Sequence, residues 1–392
     1  MLKNRKGITI VALVVTIVVL LILAGVSINL VLGNNGIIAK AKEAETKQAE
    51  ASENDLKRMN SLVSEMEGVL AGNESNGSRN NFVTKNTEVT YPDGKVWIPE
   101  GFKVADDSAS TVQGGVVIED KDGNQFVWVP VATIADYKRT WYTGVQRVEE
   151  NLEALPEDEN TSVERYKGFY IGRYEAGDKE STEVKKLRSS NDVTKTVTIK
   201  ANQAPYNLVT ETQAVSLAEG FATRQGYKAK TKLVSSYAWD TTIEFIQKVN
   251  SDYGSSSEEG NYEDTTFSYT DITGTNKTKE KFEEFKENDE DSVKLVPTGQ
   301  TTPVCNIYDM GGNVWECTTE TYKSSVSDDS STTIRGGSYE DIFAGLPAGY
   351  RLYYSFFLTM PMLLSVSGSL CLCRSVPWML EFEHSWEQNP ER

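Results

Sequence analysis

Cysteine is the residue type in this chain that is best suited to covalent chemistry, because a thiolate is both a nucleophile and a soft metal ligand. The 392 residues contain four cysteines in two groups, Cys305 with Cys317 and Cys371 with Cys373. Neither group has the Cys-x-x-Cys spacing of a zinc site, and four thiols are too few for a disulfide-dense scaffold. A Cys305–Cys317 disulfide, packing as small hydrophobes, and Cu(I) binding by Cys371 and Cys373 remain open interpretations.

Composition disfavours two other functional classes. The single histidine, His384, lies in a charged segment near the C-terminus, which disfavours a histidine-based triad and a multi-histidine metal centre. The 57 acidic and 40 basic side chains give a net charge of -17. Because this charge repels phosphate backbones, we expect no nucleic-acid partner.

The densest group of carboxylates, aromatic rings and glycines is the motif segment, residues 306–339. It reads Asn-Ile-Tyr-Asp-Met-Gly-Gly-Asn-Val-Trp-Glu-Cys at 306–317 and Ile-Arg-Gly-Gly-Ser-Tyr at 334–339. This pattern predicts two buried strand ends joined through turns that need unusual backbone angles. We interpret Tyr308 and Trp315 as core residues.

The elements before the motif segment predict an anchored, extended N-terminal part. Residues 1–7 carry three cations and precede an apolar run over 8–33, which is long enough for one transmembrane helix with the cations inside. Residues 34–72 are rich in Ala, Glu and Lys with a narrow apolar stripe, which predicts a helical stalk. Residues 73–89 have little apolar content and are interpreted as a flexible linker.

Residues 90–375 have the pattern of an α+β domain. Short apolar runs predict strands at 96–99, 125–131 and 169–175. Two amphipathic patterns predict helices, one at 210–225 and one at 239–249 that is capped by Ser235 or Ser236. Residues 251–292 are polar and are predicted to form a long solvated insertion, whereas residues 376–392 form an atypical tail.

Five motifs in this domain resemble the formylglycine-generating enzyme (sulfatase-modifying factor) family in their order and spacing. They are Phe-Tyr-Ile-Gly-Arg-Tyr-Glu at 169–175, Pro-Tyr-Asn-Leu-Val at 205–209, Ala-Trp-Asp at 238–240, Tyr-Asp-Met-Gly-Gly-Asn-Val-Trp-Glu at 308–316 and Arg-Gly-Gly-Ser at 335–338. The resemblance covers about residues 90–351 and implies a C-type-lectin-like fold. It also implies oxidation of a substrate cysteine by a C-terminal cysteine pair. Cys371 and Cys373 are only two residues apart, which departs from the family's site, and we therefore predict no enzymatic activity.

The same resemblance implies a structural calcium, although no cofactor is expected to be required. The implied ligands are Asp309, Gly312, Val314 and Glu316, and a hard cation suits such carboxylate and carbonyl oxygens. The alternative is that Glu316 accepts hydrogen bonds from turn amides or pairs with Arg335.

The N-terminus resembles type IV prepilins over about its first thirty residues, on the run Lys-Gly-Ile-Thr-Ile-Val-Ala-Leu-Val-Val-Thr at 6–16. The resemblance implies a prepilin peptidase that cuts after Gly7 and methylates Ile8. Ala12 stands where the family usually has glutamate, which favours a minor or non-polymerising subunit. A plain signal anchor is the alternative. Either interpretation places a single-pass protein in the bacterial cytoplasmic membrane with its C-terminal domain outside, at the cell surface or in a pilus.

The region after Arg335 has the composition of an adaptable recognition surface, in which tyrosine and serine alternate with large apolar residues. The resemblance extends here to a binding branch of the family, the variable proteins of diversity-generating retroelements. The predicted ligand-binding residues are Ser338, Tyr339, Glu340, Ile342, Phe343, Leu346, Tyr350, Leu352, Phe356 and Phe357. We expect exposure at Phe343, Leu346 and Leu352 and leave burial open for Tyr353 and Tyr354.

These observations predict a surface-displayed, pilin-like protein whose lectin-fold C-terminal region binds a protein or glycan ligand. Two alternatives stay open: an exported formylglycine-generating oxidase that acts on a sulfatase cysteine, and a structural minor pilin that contacts other pilin subunits. Because residues 376–392 lack the final strand typical of the family, we also hypothesise that a frameshift near residue 360 replaced the native ending.

Overall fold

A computed structural model describes residues 81–142, 154–184, 197–255, 259–280, 295–323, 330–339, 341 and 346–354, together with four short strand segments between 365 and 382. The chain divides into two compact units, residues 1–73 and 74–392. The predicted leader (1–7), transmembrane helix (8–33) and stalk (34–72) lie outside the described residues, as does the linker up to residue 80. Within the described ranges, no helix combines the length and the apolar character that crossing a bilayer requires.

The described ranges contain both helices and strands. The helices are α1 (Glu157–Tyr166), α2 (Glu211–Gln225) and α3 (Ser236–Gln247), with a 3-10 turn at Ile134–Asp136. The strands are β1 (Thr87–Tyr91), β2 (Gly94–Ile98), β3 (Lys103–Val104), β4 (Val117–Glu119), β5 (Gln125–Pro130), β6 (Gly168–Gly172), β7 (Gly177–Asp178), β8 (Val197–Thr198), β9 (Ala204–Pro205), β10 (Ala229–Leu233), β11 (Phe267–Thr270), β12 (Asn276–Lys279), β13 (Trp315–Lys323), β14 (Ser330–Arg335), β15 (Arg351–Tyr354), β16 (Ser365–Val366), β17 (Ser369–Leu370), β18 (Cys373–Arg374) and β19 (Trp378–Phe382).

The largest sheet has the strand order β10-β19-β6-β5-β4-β3 and is antiparallel between all neighbours. Successive side chains of a strand point to opposite faces, and this sheet is apolar on both. Trp128 belongs to a core cluster that also contains Phe221 of α2. Val127 belongs to a second cluster with Trp239 and Ile243 of α3. The sheet is therefore covered by apolar clusters on both faces, which explains why β5 and β6 are almost continuously hydrophobic.

A second sheet carries the motif segment and has the order β15-β14-β13-β18. Its two faces differ in chemistry. Cys317 pairs with Ile334 across β13 and β14, and both residues belong to the apolar core cluster of Trp128. Arg335, the next residue of β14, pairs with Arg351 of β15, and both arginines are buried. One face of this sheet is hydrophobic, and the opposite face buries charge.

The capping signals located α2 and α3 correctly. Thr210 caps α2 with a capping box, and Ser235 caps α3. The helix predicted at 239–249 begins three residues earlier, at Ser236, because Ser235 rather than Ser236 is the cap. Helix α1 was not predicted. Its buried residues include Glu159 and Ser162, so no apolar period marked it.

Replacing Thr210 with alanine is expected to lower the free energy of unfolding by about 1 kcal/mol. The Thr210 hydroxyl accepts a hydrogen bond from Gln213 N at 3.2 Å, and Gln213 Oε1 accepts one from Thr210 N at 2.9 Å. Denaturant titration of the variant measures the loss. Thr223→Ala, at an exposed position of the same helix, is the control and should change stability by less than about 0.5 kcal/mol. An equal loss in both variants would contradict a capping role.

Two predictions about the organisation of the domain differ from the structure. The predicted insertion at 251–292 is not wholly solvated, because Asn261, Tyr262 and Thr265 are buried and β11 pairs with β12. Its turn around residue 262 packs beneath the motif segment, and that contact is not visible in local composition. In the predicted tail, β19 lies between β10 and β6 in the largest sheet. Residues 378–382 are thus part of the domain.

Candidate functional site

The motif segment requires left-handed backbone at many positions, and this confirms the prediction of unusual turn angles. Positive φ occurs in the loop before β13 and in the turn after β14. The residues are Cys305, which immediately precedes the motif segment, and Asn306, Asp309, Gly312, Asn313, Gly336 and Gly337. Left-handed φ is costly for residues other than glycine, although less so for Asn and Asp. The surrounding contacts must therefore hold Asn313 and its non-glycine neighbours in place.

Asn313 supplies such contacts as a fully buried hydrogen-bonding centre. Its Nδ2 donates to Glu175 Oε1 at 2.5 Å, and its Oδ1 accepts from Asn261 Nδ2 at 2.9 Å and from Val296 N at 3.1 Å. The backbone of Asn313 also donates to Asn261 O and accepts from Tyr339 N. These bonds tie the motif segment to three distant parts of the chain, which indicates an architectural role.

Asp309 and Glu316, the two carboxylates implied as calcium ligands, contact different neighbours. Asp309 Oδ2 accepts from Gly299 N at 2.7 Å, and Asp309 Oδ1 accepts from Thr301 Oγ1 at 3.1 Å. Gly312 N donates to Gly336 O, the side chain of Val314 is apolar and buried, and the Glu316 carboxylate packs against Gly336. Nowhere in the described ranges do three or more His, Cys, Asp or Glu side chains form a group that could hold a metal. Calcium binding by the two carboxylates and main-chain oxygens that the resemblance implies stays a prediction.

One alternative from the sequence was that Glu316 pairs with Arg335, and the structure gives Arg335 a different ion pair. The two residues are opposite each other in the β13–β14 ladder, which makes the pairing plausible from sequence. The Arg335 guanidinium instead binds Asp240 of α3. Trp315 is buried as predicted, whereas Tyr308 is only half-buried and lies 5.0 Å from Tyr174, measured between ring centroids.

The predicted ligand-binding residues occupy several different environments. Ser338 and Tyr339 are buried, and ligand binding by them stays a prediction. The Ser338 hydroxyl donates to Asp341 Oδ2 at 2.7 Å, and Tyr339 N donates to Asn313 O, so both are part of the turn that follows the motif. Leu346, Tyr350 and Leu352 are half-buried and pack against the core, so the exposure expected for the two leucines is only partial. The remaining members, Glu340, Ile342, Phe343, Phe356 and Phe357, lie outside the described residues, as do the processing residues Gly7 and Ile8.

Cys305 and Cys317 are thiols and do not form the disulfide that was considered from the sequence. Both are buried. Burial raises the pKa of the Cys305 thiol to about 11, although a hydrogen bond from Gln113 opposes the rise. Cys305 is therefore protonated and poorly nucleophilic at neutral pH. Cys371 lies outside the described residues, and the backbone of Cys373 runs parallel to β13 beside Trp315.

We expect iodoacetamide to leave Cys305 unmodified at pH 8 in the native chain. The thiolate fraction should increase about tenfold per pH unit up to about pH 11, because the folded-state pKa is raised from 9.0. Peptide mass spectrometry after timed alkylation measures the rate. The same chain in denaturant is the control, since its Cys305 should titrate near the ordinary thiol pKa. Equal rates at pH 8 in both states would contradict the raised pKa.

The most concentrated charge in the described residues is the arginine cluster, which comprises Arg139, Asp240, Glu320, Arg335 and Arg351. Asp240 binds Arg335 through Oδ1 and Arg351 Nη2 through Oδ2, the latter at 2.6 Å. Glu320 Oε2 accepts from Arg351 Nε at 3.1 Å, and Glu320 Oε1 accepts from Arg139 Nη1 at 3.1 Å. All except Arg139 are buried, and Arg139 is half-buried.

Hydrogen bonds and charges favour the ionised forms of Glu320 and Arg351 despite burial. Burial opposes ionisation of Glu320, but the charge of Arg351, a hydrogen bond from Ser236 and the charge of Arg335 outweigh it and lower the Glu320 pKa. Burial likewise disfavours the Arg351 cation, yet Asp240 and Glu320 raise the Arg351 pKa. Each carboxylate serves two guanidiniums, which is the geometry that makes buried charges tolerable.

Three half-buried rings lie next to this cluster, and we call Trp141, Tyr237 and Tyr353 the aromatic face. The Arg351 guanidinium carbon is 4.4 Å from the Trp141 ring centroid, and that of Arg139 is 4.9 Å from the Tyr237 centroid. Burial, followed by the charge of Glu320, raises the Tyr353 pKa to about 12, so its phenol is neutral. Contacts with these cations favour the observed orientation of two of the rings.

Sequence reasoning found only part of this arrangement. Asp240 and Arg335 belong to the quoted motifs, but Glu320, Arg351 and Arg139 do not. The cluster combines a loop, α3, β13, β14 and β15. The available signal was a set of charged residues within otherwise strand-like segments, since buried charges need partners.

Comparison with known proteins shows which family this chain resembles. The family described as "Sulfatase-modifying factor enzyme 1-like domain" matches residues 79–354. Among solved structures, PvdO from Pseudomonas aeruginosa is 16% identical, with a TM-score of 0.34, over 68% of this chain and 97% of that chain. CarF is 14% identical, with a TM-score of 0.31, over 55% of this chain and 87% of that chain. The search of curated proteins found no match.

Proposed function

We propose a ligand-binding function from the premise that this chain belongs to the sulfatase-modifying factor enzyme 1-like family. The observation that carries the proposal is the aromatic face, in which half-buried rings stack on guanidiniums held by buried carboxylates. Rigid aromatic anchors of this kind supply contact area at low cost in conformational entropy. Tyr353 lies on β15, the end strand of its sheet among the described strands, within the Tyr- and Ser-containing region that follows Arg335.

The remainder of the proposal concerns display at the cell surface. The leader at 1–7, the apolar run at 8–33 and the stalk at 34–72 support a pilin-like, membrane-anchored subunit that a prepilin peptidase processes between Gly7 and Ile8. In this proposal the domain is carried outside the cytoplasmic membrane to meet a protein or glycan. Variation of the region after Gly337 by a retroelement would change the ligand while the motif segment stays constant.

Array binding tests the ligand-binding function. Full-length chain in a neutral detergent is applied to printed glycan and peptide arrays, and we expect specific signals that are lost in Tyr237→Ala. Phe82→Ala is the matched control because Phe82 is an exposed aromatic residue outside the aromatic face, and it should retain those signals. Signals that survive Tyr237→Ala, or the absence of any signal together with incorporation of the chain into filaments, would contradict the proposal. The second result would favour the structural pilin.

An exported formylglycine-generating oxidase is the second candidate, and family membership favours it. Against it, Cys305 and Cys317 are buried and Cys371 and Cys373 are two residues apart. The full-length chain is incubated with copper and a cysteine-containing sulfatase peptide, and mass spectrometry detects the aldehyde. We expect no aldehyde. Aldehyde formation that is lost in Cys371→Ser would overturn the binding-only function.

A further inference from the structure

The guanidinium of Arg351 has one hydrogen-bonding group left over. Its Nε donates to Glu320 at 3.1 Å and its Nη2 donates to Asp240 at 2.6 Å. Within the part of the chain that the structure describes, Nη1 is buried and has no acceptor. The residue as a whole is 2% exposed. Leaving a charged donor unsatisfied is costly, so this position favours an incoming acceptor.

The charge balance of the arginine cluster indicates which acceptor fits. Three guanidiniums face two carboxylates, because Asp240 is shared by Arg335 and Arg351 and Glu320 by Arg139 and Arg351. One positive charge is therefore not neutralised inside the cluster. A ligand group with a single negative charge would neutralise this positive charge. A dianionic phosphate would add a second negative charge, which the net charge of -17 on the protein disfavours.

The neighbouring loop places a half-buried ring and a second cationic group beside Arg351. The Trp141 ring covers the Arg351 guanidinium, with 4.4 Å between the guanidinium carbon and the ring centroid. Trp141 is half-buried and belongs to a segment without helix or strand. Arg139, two residues earlier, has a side chain that is 16% exposed. A rotation of Trp141 would open Arg351 Nη1 on the side where Arg139 meets the cluster.

Resting on the proposed ligand-binding function, we propose that the aromatic face binds a ligand carboxylate on Arg351 Nη1, with Trp141 turned aside and Arg139 assisting. Carboxylate suits the site because its planar oxygens match the guanidinium geometry and it carries one charge. The same group occurs in uronic-acid glycans and in acidic peptides. The two sources are separated by experiment.

The test is a titration of the full-length chain in neutral detergent, followed by tryptophan fluorescence and by calorimetry. The carboxylate probes are glucuronate and the α-amide of N-acetyl-aspartate, which keeps its side-chain carboxylate. Their neutral matches are glucose and the α-amide of N-acetyl-asparagine. We expect saturable binding of at least one carboxylate and none of its neutral match. Binding of glucuronate alone assigns the glycan source, and binding of the aspartate compound alone assigns the peptide source. Equal binding of neutral matches, tighter binding of methyl phosphate, or no binding of either carboxylate overturns the proposal.

Variants connect the binding to the named groups. Arg351→Lys removes the Nη1 and Nη2 donors of the guanidinium. It should weaken carboxylate binding by at least about tenfold. Because substitution at a buried arginine also lowers stability, Arg139→Gln and Trp141→Phe provide independent readouts. Arg139→Gln should weaken binding while the chain stays folded, and Trp141→Phe should abolish the fluorescence change but leave calorimetric binding. Unchanged affinity in Arg139→Gln together with unchanged fluorescence in Trp141→Phe would overturn the placement of the site. If the array ligands whose binding depends on Tyr237 carry no carboxyl group, the carboxylate proposal alone is overturned and the proposed function stands.

Discussion

Replacing Asp240 with alanine is expected to lower the free energy of unfolding by about 3–5 kcal/mol. The Asp240 carboxylate is fully buried and holds two buried guanidiniums, Arg335 on Oδ1 and Arg351 on Oδ2. It also accepts a hydrogen bond from Thr140 N at 3.0 Å. Removing it leaves two positive charges close together in β14 and β15 with Glu320 as their remaining carboxylate. The cost is thus mainly the desolvation of unpaired charge.

Denaturant titration with tryptophan fluorescence as the signal measures this loss. Trp239 lies on the same helix as Asp240, and its ring centroid is 5.7 Å from the Arg335 guanidinium carbon. Asp106→Ala is the matched control. The Asp106 side chain is 84% exposed and is 3.9 Å from Lys103, so its removal should change stability by less than about 0.5 kcal/mol. Losses of similar size in the two variants would show that the arginine cluster does not stabilise the domain.

Local sequence signals predicted the helices that begin at a capping side chain and the strands that coincide with apolar runs. Thr210 and Ser235 cap helices where the sequence places a cap, and β5 and β6 form at continuous apolar runs. Helix α1 lacks such a signal, since it buries Glu159 through hydrogen bonds from Tyr137 and Ser235 and an ion pair with Lys232. A polar residue with distant partners appears exposed when it is judged by its neighbours in sequence.

The candidate site was less predictable than the fold because its partners are chosen by tertiary structure. One alternative from the sequence paired Arg335 with Glu316, which is its neighbour across the ladder. The Arg335 side chain binds Asp240 instead, on a helix 95 residues earlier. Ser338 and Tyr339 have the composition of a recognition surface, but hydrogen bonds to Asp341 and Asn313 place them in the interior. Composition identifies which residues can recognise a ligand and does not determine which of them face outward.

Replacing Gly312 with alanine is expected to lower the free energy of unfolding by about 2–5 kcal/mol, as the sum of two effects. Gly312 has φ +69°, a left-handed conformation that costs alanine about 1–2 kcal/mol. A Cβ at this position would also collide with the backbone of Asn261, at 2.6 Å from its carbonyl carbon and 2.8 Å from its nitrogen. Backbone atoms in a buried turn cannot move aside as the end of a flexible side chain can. Overpacking therefore adds about 1–3 kcal/mol.

Gly274→Ala separates the two effects. Gly274 has φ +84°, but a Cβ there would meet no atom within 4 Å, so only the conformational cost of about 1–2 kcal/mol applies. Denaturant titration of both variants gives the difference, which we attribute to the close approach of Gly312 and Asn261. The approach brings Asn261 Nδ2 to 2.9 Å from Asn313 Oδ1, and Asn313 in turn fixes Tyr339 after the Arg-Gly-Gly-Ser motif. Equal losses of stability in the two variants would mean that the turn at Asn261 moves to accommodate a methyl group. The motif segment would then be less rigid than its hydrogen bonds indicate.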